Sequence, residues 1–117
     1  MKPIIAALLI NHAPIELKII EDVAKEYKLN DEQTQLLATI RRIENGREGC
    51  EYGVELPEAT RYRGNKMASL KLQCQYAAGT IKKRYTGDLK AFSNRYCPAN
   101  SKVWYKNAKF FMNKERA

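Results

Sequence analysis

A mainly α fold, with about five to six helices around a central helix and a small irregular or β-hairpin lobe, is what this 117-residue sequence predicts. Three observations carry that prediction. Apolar residues recur at three- and four-residue spacing over most of the chain, and helix-stopping residues stand where each periodic run ends. The periodicity is lost only over residues 47–64. Gly46, Gly49, Gly53 and Gly64 bracket or punctuate that gap, and Pro57 lies inside it.

Taken in order, the opening MKPIIAALLI reads as a first helix or an anchoring turn. Its basic end is thin, its apolar run is short and Asn11-His12-Ala13 is a poor cleavage site, so no export signal is expected. No stretch is long enough to cross a bilayer. Pro14 suits the first turn of a helix in which Leu17, Ile20, Val23, Ala24 and Tyr27 form one stripe. Asn30 or Asp31 caps the next helix, where Leu36, Leu37, Ile40 and Ile43 share an arc of about 120° and Asn45-Gly46 supplies a left-handed stop. Short extended pieces are expected at 51–56 and 60–62, forming the lobe.

Residues 65–85 give the strongest helical signal. Met67, Leu70, Cys74, Ala77, Ala78, Ile81 and Tyr85 fall within about 100°, and Leu72 and Tyr76 add apolar groups opposite, the pattern of a central helix. Thr86-Gly87-Asp88 restarts the chain with Leu89, Phe92 and Tyr96 on one face until Cys97-Pro98 stops it. Ser101 caps a last helix with Trp104, Ala108 and Phe111 inward and Lys102, Lys106, Lys109 and Lys114 outward.

Length suits one domain, residues 1–117, with a single core. The net charge of +8 is uneven. Residues 1–60 hold 7 Lys+Arg against 11 Asp+Glu, a balance of −4, and residues 61–117 hold 14 against 2, a balance of +12. The basic half favours polyanions, whether nucleic acid or the anionic polymers of a bacterial envelope. Cys50, Cys74 and Cys97 form no Cys-x-x-Cys pair and His12 is the only histidine, so neither a metal site nor a histidine-dependent nucleophile is expected.

Glu44 is the candidate for chemistry. It lies inside the apolar arc at a helix C-terminus, where lost hydration and the terminal carbonyls both disfavour its anion. A carboxyl so placed is expected to stay protonated near neutral pH and to serve as a general acid. The alternative is a helix-end glutamate bent out to solvent.

Around this acid the chain continues as Glu44-Asn45-Gly46, Tyr52-Gly53-Val54, the helix from Met67 to Tyr85, Gly87-Asp88-Leu89-Lys90-Ala91-Phe92, Arg95-Tyr96-Cys97-Pro98-Ala99-Asn100 and Val103-Trp104. The order and spacing, over residues 36–112, resemble the lysozyme-like superfamily, and in particular the soluble lytic transglycosylase type of peptidoglycan-cleaving domain. That family ends a helix in Glu-Ser-Gly, follows with a glycine-containing loop and a long helix, and carries an Ala-Tyr-Asn-Ala-Gly segment before its final helix. The resemblance implies an α+β lysozyme-like domain with N-terminal helices over 1–30 and a catalytic core over 31–112. It implies Glu44 as general acid and Tyr96 as the tyrosine that approaches it across the cleft. Glu51, Tyr52, Gly53, Val54 and Tyr96 would contact substrate. Asn45 stands where the family has Ser, no Gln follows Gly53-Val54, and Cys97-Pro98 replaces Asn-Ala.

Most glycosidases use two carboxyls about 5 to 9.5 Å apart. The nearby candidates are Glu48, Glu51 and Glu55. A lytic transglycosylase needs only one, since the substrate's acetamido group and 6-hydroxyl supply the other functions. A muramidase using Glu51 as water-positioning base is the alternative within the same fold. The resemblance implies the glycan strands of peptidoglycan as substrate, no cofactor and no metal, a monomer, and a place of action at the bacterial cell wall, periplasmic or phage-delivered. Two competing readings remain: a basic nucleic-acid-binding module, with Tyr62, Tyr76, Tyr85, Tyr96, Trp104, Tyr105 and Phe110 among its bases, and a lysozyme-like scaffold that does not cut.

Overall fold

The computed structural model describes residues 12–47, 49–57 and 65–116. Helix α1 (Pro14–Glu26) starts at Pro14, whose missing N–H is no loss in a first turn, and buries Leu17, Ile20, Val23 and Ala24. Helix α2 (Asp31–Glu44) is opened by a reciprocal cap in which the Asn30 side chain accepts from the Gln33 N–H and the Gln33 side chain accepts from the Asn30 N–H, both at 2.8 Å. It stops at Asn45, which adopts the left-handed conformation (φ 42°) that the Asn-Gly pair predicts. Helix α3 (Lys66–Arg84) is capped by Asn65 and helix α4 (Leu89–Tyr96) by Asp88. A 3₁₀ turn over Pro98–Asn100 leads straight into α5 (Ser101–Arg116).

The fold is mainly helical, as the periodicity predicts, but its hub is α2 and not the helix over 66–84. Every residue from Thr34 to Arg41 is buried, because α1, α3 and α5 all pack on α2. The second apolar side of α3 is left open instead: Leu72 is half-buried and Tyr76 is 51% exposed. Ile20, Leu36, Leu37, Ile40 and Ile81 are fully buried, and each such side chain contributes about 1.5–3 kcal/mol. The radius of gyration of 13.2 Å is that of a compact chain of this length.

No strand occurs among the described residues, so the lobe takes its irregular form. The reason is visible in the backbone: Tyr52 N–H and Val54 N–H, which would pair with another strand, both donate to Gln73 Oε1 on α3 at 3.2 Å. The piece expected at 60–62 and the first helix expected over MKPIIAALLI lie outside the described residues, as does the side chain of Lys114.

Candidate active site

The loop after α2 is built inward from side chains on the two helices that flank it. Gln73, buried on α3, donates to the carbonyls of Gly49 (3.0 Å) and Val54 (2.9 Å) while its oxygen takes the two loop N–H groups just described. Arg41, on the last turns of α2, donates to the carbonyls of Glu51 (3.2 Å) and Gly46 (3.4 Å) and pairs with Glu16 of α1. Glu51 completes the frame. Its Oε1 accepts from Ser69 Oγ and from the Gly49 N–H, both at 3.0 Å, and the residue is 4% exposed.

Glu51 and Tyr52, expected to meet substrate, are therefore turned into the protein. Tyr52 is fully buried, its hydroxyl 3.5 Å from Cys74 Sγ, and burial raises its phenol and the Cys74 thiol alike, the latter to about 12. Val54 is half-buried with both backbone groups held by Gln73. Glu55 is exposed, and Glu48 lies outside the described residues.

Glu44 has a different setting. It is half-buried at the end of α2, and its Oε2 accepts the indole N–H of Trp104 at 3.0 Å. An indole nitrogen only donates, so Oε2 must be the accepting oxygen and a proton on this carboxyl belongs on Oε1. That second oxygen lies over Gly53: a Cβ added there would stand 2.6 Å from Glu44 Oε1 and 2.9 Å from its carboxyl carbon. Gly53 also has φ +71°, so two independent demands select glycine at this place.

Tyr96 closes the other side. Its hydroxyl donates to the Tyr52 carbonyl at 2.6 Å, and its ring packs on Phe92 (centroids 5.5 Å apart) and Trp104 (5.4 Å). Burial, and then the nearby Glu44 carboxylate, raise the Tyr96 phenol well above its ordinary range, which keeps it a neutral hydrogen-bond donor. The structure thus gathers Glu44, Gly53 and Tyr96, joins them through Trp104, and leaves Glu51 and the Tyr52 ring behind them in the core.

Trp104 and Gln73 are the residues that sequence reasoning missed. Trp104 reads as an inward residue of the last helix or as one of the aromatics of a nucleic-acid surface, and at 4% exposed it is inward; nothing in the spacing signals that its N–H reaches back 60 residues. Gln73 did carry a signal, since an uncharged amide within the Leu70–Cys74–Ala77 stripe must find buried partners.

Among the described residues no three His, Cys, Asp or Glu gather as a metal set, the three cysteines are free, and no helix is long and apolar enough to cross a membrane. A cleft of about 700 Å³ lies on the open side of α3, bounded by Tyr76, Gly79, Lys83 and Arg84 and, from α4, by Arg95 and Tyr96. No protein-family model, curated protein or solved structure matches the chain.

Proposed function

We propose that this protein cleaves the β-1,4 glycosidic bond of bacterial peptidoglycan, with Glu44 as general acid and then general base. The observation that carries the reading is the asymmetric carboxyl: Oε2 is held by the Trp104 N–H, and Oε1 sits beside a glycine too close to bear a side chain. A group positioned by donors on one oxygen and left chemically free on the other is suited to moving a proton. The Glu44 proton passes to the glycosidic oxygen as the C1–O bond breaks. The resulting carboxylate then takes the 6-hydroxyl proton as O6 bonds to C1, which closes the anhydro ring and restores the acid. Ring closure is favoured over hydrolysis because Glu51, the carboxylate considered for positioning water, is buried and already accepts two hydrogen bonds.

Purified peptidoglycan separates the readings. Wild-type protein is expected to clear it and to release fragments one water lighter than hydrolysis products, and Glu44→Gln is expected to do neither. Hydrolysed fragments from the wild type would keep the enzyme and reject ring closure. Equal clearing by both proteins would remove Glu44, and no clearing by either would leave a non-cutting scaffold.

A second reading, nucleic-acid binding, is favoured by the exposed row Lys102, Lys106 and Lys109 on α5, where the Lys109 ammonium lies 5.9 Å from the Tyr105 ring centroid. Affinity for short single strands that falls steeply with salt is its signature.

A further inference from the structure

The cleft beside Tyr96 has a composition that the cutting step does not use. Lys83 and Arg84 end α3, Arg95 faces the same space from α4, and no Asp or Glu lines it. Three other cations do have acidic partners, Lys18 with Asp22, Lys25 with Glu21 and Arg41 with Glu16, and the lysines of α5 lie along an exposed helix face, not in a cleft. Among the described residues, none of the three cleft cations has an ion pair or a hydrogen bond. Three like charges line one cleft whose own lining holds no acid, the Glu26 carboxylate being engaged by Gln75 of that lining at 3.0 Å, and a bound anion would relieve their repulsion.

The cleft also has surfaces for a ligand's uncharged parts. Tyr76 offers a ring that is 51% exposed, Tyr96 forms one wall, and Gly79 leaves the helix surface between them bare. Its volume of about 700 Å³ is within the range of sites that enclose small organic ligands.

We propose that this cleft binds the carboxylates of the peptide stems carried by peptidoglycan, so that the protein takes stem-bearing strands in preference to bare glycan. The proposal rests on the cell-wall reading of Glu44. Tyr96 is what links the two places, since it reaches the Tyr52 carbonyl beside the acid and also lines the cleft. On stem-bearing strands the lactyl carboxyl of each muramic sugar is tied up in the amide to its stem, so the negative groups of the glycan-bound polymer lie on the stems. Guanidinium forks on Arg84 and Arg95 match carboxylates in geometry as well as in sign.

The test is a heteronuclear NMR titration of wild-type protein with two soluble probes, a disaccharide tetrapeptide and the same disaccharide with its lactyl group capped as an uncharged amide in place of the peptide. The stem-bearing probe is expected to bind at least about ten times more tightly, with shifts at Tyr76, Gly79 and Arg95, and to weaken as salt is raised. The Lys83→Gln/Arg84→Gln/Arg95→Gln protein is expected to lose that preference. All three side chains are exposed, and an unchanged circular-dichroism melt establishes that the variant is folded. Equal affinity for the two probes, or shifts confined to another face, overturns the proposal. A short oligonucleotide that displaces the stem-bearing probe and binds more tightly also overturns it, by assigning the cleft to nucleic acid.

The failures are separable. Stem-dependent binding by a protein that cuts nothing upholds the cleft and sinks the enzyme reading. Equally fast cutting of stem-bearing and stem-stripped glycan does the reverse.

Discussion

Tyr96 stands between two regions built on opposite terms. In the loop its hydroxyl touches, the buried polar side chains Glu51, Ser69 and Gln73 are all paired, several of them twice. In the cleft its ring lines, three cations have no partner among the described residues. The contrast shows where chemistry remains available. Groups whose hydrogen bonds go to architecture are held in place by it, and Glu51 is one of them: it is 4% exposed, and its Oε1 is taken by Ser69 and the Gly49 N–H. Glu44, seven residues earlier, keeps one oxygen held and the other free.

The sharpest way to break that contrast is to neutralise the two carboxylates in turn. Glu44→Gln keeps the shape and removes the proton donor, so clearing of peptidoglycan is expected to fall by about 10²–10⁴-fold with little change in melting temperature. Glu51→Gln is expected to act in the opposite sense, lowering stability while sparing much of the activity per folded molecule. Turbidity and calorimetry on both variants decide it. A Glu51 variant that folds normally but does not cut would reverse the assignment.

Next in size is the clamp. Gln73→Leu leaves the N–H groups of Tyr52 and Val54 and the carbonyls of Gly49 and Val54 without their side-chain partner. At about 1–3 kcal/mol for each buried group left unpaired, a loss of at least about 3 kcal/mol is expected in urea unfolding. A loss below about 1 kcal/mol would mean that water or the loop's own turns replace the clamp.

The helices were legible because their signals are local. Asn30, Asn45, Asn65 and Asp88 each mark a boundary within a few residues of themselves, and the structure uses all four. The placing of Glu44 at a helix end was legible for the same reason. What escaped was non-local. The inward turn of Glu51 depends on Ser69, 18 residues on, and the Trp104 bond spans 60. Apolar spacing on α3 marked Tyr76 as a second packing face, yet no helix arrives to cover it, since α4 and α5 pack with each other and α5 packs on α2. Periodicity reports which side of a helix is apolar, not whether another element will reach it.

Gly53→Ala probes the seam between acid and loop. A left-handed backbone costs about 1–2 kcal/mol for a residue with a Cβ, and the new methyl would collide with the Glu44 carboxyl at 2.6 Å. Stability is expected to drop by roughly that amount, and activity by more than the unfolded fraction explains, because the carboxyl must shift off the Trp104 N–H.

Beneath the loop, alkaline pH gives a comparable effect. The Cys74 thiol, raised by burial from 9.0 to about 12, keeps its proton in the folded protein after the unfolded chain has lost its own. The folded state then binds more protons, so stability is intact below pH 9 and declines as pH rises towards 12. Between pH 8 and pH 10 wild type is expected to lose about 1.4 kcal/mol more than Cys74→Ala. The Tyr52 and Tyr96 phenols, also raised, add their own decline in both proteins above about pH 10. Parallel pH profiles for the two proteins would show that the thiol is not buried as described.

The smallest effect has the opposite sign, and it isolates the cleft. Gly79 sits inside α3, where glycine costs about 0.5–1 kcal/mol relative to alanine. Unlike Gly53 it has no steric reason to be glycine: an added Cβ would meet only Tyr27 Cε2, at 3.6 Å, an ordinary contact. Gly79→Ala is therefore expected to stabilise the protein by about 0.5–1 kcal/mol in chemical unfolding. If the same variant binds the stem-bearing disaccharide less well, the bare helix surface is occupied by ligand and the lost stability has a use. Unchanged binding would place the ligand on the charged rim alone, away from the helix surface between Tyr76 and Tyr96.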